Sequence, residues 1–178
     1  MNRIIFVLCL LTAFFVASCA NGIHSKTGGG RLSASPTPAE ISSSAQVVKI
    51  NTTFMPRSSS TFGDVALVIS PGFHINANPA TFPYLIATEL QPGKADGISV
   101  GEIVYPPPSL KKFPFAEKEL AVYEGQVIIS LPLGIASTAK GQRSLPVKVR
   151  VQACDHEKCY PPSIMETSMS IDLDLPHR

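Results

Sequence analysis

The sequence predicts an all-β protein, an antiparallel β-sandwich of immunoglobulin-like type, and three observations predict it. Beyond about residue 45 the apolar residues fall in short runs rich in Val, Ile and Leu, several alternating with polar residues at a period of two. Clusters of Gly, Pro, Asn or Ser bound each run. No window carries a helical period of useful length, and 16 prolines spread along 178 residues work against long helices. On the order of seven to nine short strands in about 130 residues suits such a sandwich, although the Trp and the widely spaced cysteines of antibody domains are absent.

The chain opens differently. Arg3 supplies a positive start, residues 4–16 an apolar stretch, and Ala17-Ser18 the small residues before a cleavage point, so residues 1–18 read as a secretory signal peptide. Val16-Ala17-Ser18-Cys19 has the pattern of a bacterial lipobox, which makes Cys19 the expected lipidation site and new N-terminus. Several acyl chains there, at about 0.8 kcal/mol per buried methylene, would anchor the protein to a membrane. Ala20 rather than Asp after the cysteine suits an outer-membrane address. Residues 19–45, rich in Gly, Ser, Thr and Pro, read as a flexible tether. Loss of the leader removes Arg3 and leaves 14 basic against 13 acidic side chains, a balance that gives no reason to expect nucleic acid as partner.

The domain is expected over residues 46–178. Its strands are expected at residues 46–54, 63–69, 85–90, 98–105, 120–123, 127–133, 145–153 and 164–173. Residues 46–54 place Val48, Ile50 and Thr52 on one face. In the last two runs Leu145, Val147, Val149 and Val151 share one face, and Met165, Thr167, Met169, Ile171 and Leu173 share another, as in a hairpin.

Near the mouth of that hairpin lie Cys154 and Cys159, the only cysteines beyond the export segment and its lipobox cysteine. A ring this small gains roughly 2 kcal/mol of loop-closure entropy, less than a long-range cross-link, so a purely structural role is poorly motivated. Residues 155–158 form the connection, and Tyr160-Pro161-Pro162 stiffens the return. A disulfide at a loop tip is open to an incoming thiolate, as exchange requires, and export permits such chemistry. Two other readings stay open: a static cross-link, and a metal site of Cys154, His156 and Cys159. The latter lacks an evident fourth ligand and matches no common zinc spacing. Asp155 and Glu157 disfavour a thiolate while Lys158 favours one, so exchange is expected to depend on docking with a specific partner. His74 reads as a structural hydrogen-bonder.

The segments Gly72-Phe73-His74-Ile75-Asn76-Ala77-Asn78-Pro79, Val104-Tyr105-Pro106, Leu120-Ala121-Val122-Tyr123-Glu124-Gly125, Gln152-Ala153-Cys154 and Cys159-Tyr160-Pro161-Pro162 together resemble the N-terminal periplasmic domain of the DsbD family of membrane thiol reductases. The resemblance implies an immunoglobulin-like sandwich with both cysteines on one hairpin. It implies that Cys159 forms the mixed disulfide with partners and that Cys154 resolves it. It further implies a cap loop bearing an aromatic shield; residues 110–117 lie where that loop should be, with Phe115 the first candidate, Phe113 the alternate and Tyr160 a packing neighbour of the sulfurs. Full family members join this domain to a membrane conductor and a thioredoxin-like domain, neither of which is present in this stretch, so reduction is expected in trans. The partners implied are thioredoxin-like redox proteins and disulfide-bearing clients, in the periplasm, with no cofactor or metal. A non-catalytic β-sandwich lipoprotein with a fixed disulfide is the alternative.

Overall fold

The computed structural model describes residues 40–56 and 61–174. The signal peptide at residues 1–18, lipidation at Cys19 and the tether as far as residue 39 lie outside the described residues.

Among the described residues, eleven strands follow a 3-10 turn at Ser44–Gln46: β1 (Val48–Met55), β2 (Thr61–Ile69), β3 (His74–Asn76), β4 (Glu89–Pro92), β5 (Ile98–Val100), β6 (Ser109–Lys111), β7 (Leu120–Tyr123), β8 (Gln126–Ile135), β9 (Gln142–Val151), β10 (Ala153–Cys154) and β11 (Ser163–Asp172). They pair antiparallel throughout, in three sheets of order β1-β2-β8-β5, β10-β3-β7-β6 and β11-β9-β4. Val65, Leu67 and Ile69 of β2, with Ile129, Leu131 and Leu133 of β8, turn into the same core as Leu145, Val147, Val149 and Val151 of β9 and Met169 and Ile171 of β11. Ile75, Tyr123 and Ala153 carry the second sheet into that core. The molecule is the all-β antiparallel sandwich that the strand pattern predicts.

The β9–β11 hairpin forms in the expected register, with Leu145 opposite Met169, Val147 opposite Thr167 and Val149 opposite Met165. Lys148 and Arg150 face outward, where they meet Glu166 and Glu89. Alternation is legible here because one face is buried and the other wet.

Three runs differ from expectation. The expected strand at residues 85–90 starts only at Glu89 and runs on to Pro92; before it, Leu85 N–H closes a turn onto the Phe82 carbonyl. The run at 98–105 stops at Val100. One extra residue then intervenes before Val104 pairs with Ser130 of β8, a bulge that interrupts the ladder. The run at 145–153 breaks at Gln152, and Ala153–Cys154 leaves the third sheet to pair with β3 in the second.

Two short strands were not anticipated. All three residues of β3 are buried and all three of β6 are exposed, so neither alternates. A turn sets β3: Phe73 N–H bonds the Ser70 carbonyl across Pro71-Gly72, and Gly72 takes the positive φ of 85° that a type II turn requires. The fold also begins earlier than residue 46, since Ser44 is fully buried.

Candidate functional site

Strand β10 brings the cysteines to the edge of the second sheet. Cys154 and Cys159 form a disulfide with their Cα atoms 3.9 Å apart and pair as an antiparallel bridge. The connection is a tight turn in which Asp155 N–H donates to the Lys158 carbonyl at 2.9 Å and Tyr160 N–H to the Ala153 carbonyl at 2.8 Å. The Asp155 carboxylate accepts the Glu157 and Lys158 N–H groups at 2.7 and 2.8 Å and the Tyr160 hydroxyl at 2.6 Å. The Tyr160 hydrogen bond, joined by those backbone donors, holds the Asp155 carboxyl down at about 2, against an ordinary 3.8. The same bond raises the Tyr160 phenol.

The two halves of the disulfide differ in access. Cys154 is 1% exposed, whereas Cys159 is exposed.

On the side away from Cys159, Cys154 faces His74 of β3 as its register partner. Residues directly opposite on an antiparallel pair project to the same face. His74 is 2% exposed, and its Nε2 has no hydrogen-bond partner. Burial pushes its pKa from 6.5 down to about 4; Glu124 and Asp155 pull it back up, and His156 adds to the depression. The imidazole is therefore neutral near pH 7.

Over His74 lies Phe113, with ring centroids 4.1 Å apart and planes 22° from parallel. Phe113 also stands 6.1 Å from the His156 ring and 5.5 Å from that of Phe115. It is 3% exposed and anchors a second apolar cluster with Leu120 and Val122, onto which Phe82, Leu85 and Ala116 pack. Phe115 is 44% exposed. The loop is shaped by Ala116 N–H bonding the Phe113 carbonyl across Pro114-Phe115, and by Lys112 Nζ, which donates to the carbonyls of Ala116 and Glu117. A groove of about 460 Å³ beside the hairpin is lined by Phe73, His74, Lys111, Glu124, Gly125 and His156. Lys111 and Glu124 form an ion pair of 3.0 Å at its wall.

The comparison that decides the family covers nearly all of this fold. Residues 44–170 match the family model described as the N-terminal domain of the thiol:disulfide interchange protein DsbD. The chain belongs to that family. No curated protein matches the chain. Among solved structures, it is similar to the reduced DsbD N-terminal domain of Neisseria meningitidis, at 16% identity and a TM-score of 0.44, over 69% of this chain and 85% of that one. It is also similar to the N-terminal periplasmic domain of ScsB from Proteus mirabilis, at 17% identity and a TM-score of 0.48, over 73% of this chain but 48% of that one.

In this DsbD N-terminal-type domain, the base of the cysteine hairpin is held by Ser44, which nothing in its local sequence marks, and by Gln152. Ser44 Oγ accepts the Ala153 N–H and donates to the Pro161 carbonyl, both at 2.8 Å, while Ser44 N–H bonds the same carbonyl at 3.1 Å. Gln152 Oε1 accepts Ile86 N–H and Asn76 Nδ2, each at 3.4 Å. The hairpin therefore stands on two polar supports where the chain changes sheets. Of the residues singled out in the sequence, Cys154, Cys159, Tyr160 and Phe113 gather here, with Phe115 at the outer edge.

Proposed function

We propose that the chain is an exported thiol–disulfide exchange module working in the periplasm, with Cys154 and Cys159 as its reactive pair. The thiolate of a thioredoxin-like reductase attacks the exposed Cys159 sulfur, Cys154 leaves, and a second reductase thiol completes reduction. The resulting dithiol then reduces a client. The Cys159 thiolate attacks the client disulfide, a mixed disulfide forms, and Cys154 attacks Cys159 to expel the client thiol. The two sulfurs carry both electrons, so the cycle needs no cofactor. Lipidation at Cys19 and residues 19–45 as a tether, its end from Ser44 packed into the fold, would hold the domain at a membrane, with the outer membrane favoured by Ala20.

The observation that carries this reading is the unequal exposure of the two cysteines, Cys154 buried and Cys159 exposed, on a tight turn of a domain from a thiol-interchange family. Exchange requires one reachable sulfur and a second held close enough to resolve the intermediate. The cap role belongs to the loop around Phe113. Its ring covers the neighbour of Cys154, which favours Phe113 over Phe115 as the shield; Tyr160 supports the turn through its hydrogen bond to Asp155.

Cells expressing the Cys154→Ala variant test the proposal. Cys159 should then retain redox proteins or clients as complexes released by reductant, and Cys159→Ala should retain none. If neither variant yields a covalent complex, the disulfide is a static cross-link.

A further inference from the structure

His74, Cys154 and Cys159 form a lateral row across adjacent chain segments: His74 pairs with Cys154, and Cys154 pairs with Cys159. Paired residues on antiparallel strands carry their Cβ atoms about 4.5–5.5 Å apart on one face. His74 is thus the neighbour of Cys154 on the side the disulfide does not occupy. In the disulfide state its Nε2 is buried and unpaired. A buried polar atom left without a partner forfeits its hydration with nothing in return, so it calls for an explanation. Both cysteines change hydrogen-bonding capacity when the disulfide opens, and Cys154, the register partner of His74, is the one that gains its S–H directly opposite the imidazole.

We propose that His74 Nε2 accepts the thiol proton of Cys154 as that sulfur attacks the mixed disulfide on Cys159. This inference rests on the exchange reading above. As Cys154 Sγ–H transfers its proton to Nε2, the sulfur electron pair forms the bond to Cys159 Sγ. The bond between Cys159 and the partner sulfur breaks, the partner leaves as thiolate with the electron pair, and the imidazolium returns the proton to that thiolate or to water. The protein ends as disulfide and the partner as thiol.

The surroundings fit the task. A buried thiol resists ionisation, so the resolving sulfur needs a nearby acceptor more than the exposed one does. The imidazole is neutral at working pH and so has a lone pair to offer, in the tautomer that keeps its proton on Nδ1. The titratable groups around it are Glu124 and Asp155, which favour an imidazolium, His156, which disfavours one, and Lys111, which is paired with Glu124. Phe113, stacked on the ring, fixes its plane and excludes water from that face.

The test uses the full chain with Cys9→Ser and Cys19→Ser, reduced and mixed with an aromatic disulfide such as dithiobis(nitrobenzoate). The exposed Cys159 releases the first thionitrobenzoate, and attack by Cys154 on the mixed disulfide releases the second. His74→Phe, which keeps a ring against Phe113, should leave the first phase unchanged and slow the second about 10²-fold, the low end for a general base. His74→Gln should show the same selectivity should the Phe variant fail to fold. In the unsubstituted protein the Nε2 nitrogen resonance should differ between disulfide and dithiol forms. A second phase that keeps its rate in the folded variants, equal slowing of both phases, or an Nε2 resonance unmoved by reduction overturns the role of His74. Because the reagent needs no biological partner, these outcomes are independent of whether Cys154→Ala captures partners in cells, which tests exchange itself.

Discussion

The Tyr160 hydroxyl donates to the Asp155 carboxylate at 2.6 Å across the base of the cysteine turn. This bond leads the causes that hold Asp155 near 2, and it ties the residue after Cys159 to the residue after Cys154. Asp155 ionises more readily folded than unfolded, so its contribution is complete above about 3.8 and disappears as pH falls toward about 2. Tyr160→Phe should move the carboxyl up toward 3.8, read from its carbon resonance in a pH titration. A carboxyl that stays near 2 would assign the depression to the two backbone N–H donors instead.

Ser44→Ala should destabilise the fold by about 1–3 kcal/mol, because it strips the buried Ala153 N–H of its acceptor. Ser42→Ala, at an exposed site, should stay within about 0.5 kcal/mol. Urea unfolding of the two variants makes the comparison, and equal effects would deny Ser44 its place under the hairpin.

Stability should fall on acidification through His74. Its folded pKa lies below the unfolded 6.5, so only the unfolded chain takes up the proton between 6.5 and about 4. The protection is complete above 6.5 and is lost progressively down to about 4, a loss on the order of 3 kcal/mol. Chemical denaturation between pH 7 and 4 should show that slope, and His74→Phe should flatten it. An unchanged slope in the variant would place the proton uptake elsewhere.

Phe113→Ala should speed reduction of the disulfide by dithiothreitol well beyond Phe115→Ala, since Phe113 is the ring that covers His74 and is itself 3% exposed. It should also cost about 3–5 kcal/mol of stability as a core truncation. Faster reduction in Phe115→Ala alone would transfer the cap role to Phe115.

The sandwich and the close pairing of Cys154 with Cys159 are legible in the sequence because each rests on local information. Leu145, Val147, Val149 and Val151 alternate with exposed partners and announce a half-buried strand, and two cysteines on one short turn announce a small disulfide ring. Strand β3 escaped notice because burial of all of His74–Asn76 erases the period of two. Phe113 and Phe115 flank one proline and are chemically identical, so only the packing of Leu120 and Val122 separates them. The Ser44 bridge was illegible for another reason: its partners lie 109 and 117 residues away, and a serine at the end of a Ser-rich run looks like tether. That His74 Nε2 is buried and unpaired in the disulfide state follows from tertiary packing and has no local sequence signal.

The reduction potential of the Cys154–Cys159 pair tests the central claim most directly. Equilibration of the purified chain, with Cys9→Ser and Cys19→Ser, against graded thiol–disulfide buffers should give a potential above about −300 mV, within reach of envelope redox proteins. A value below about −300 mV, the range of disulfides that persist as structural cross-links, would contradict an exchanging pair.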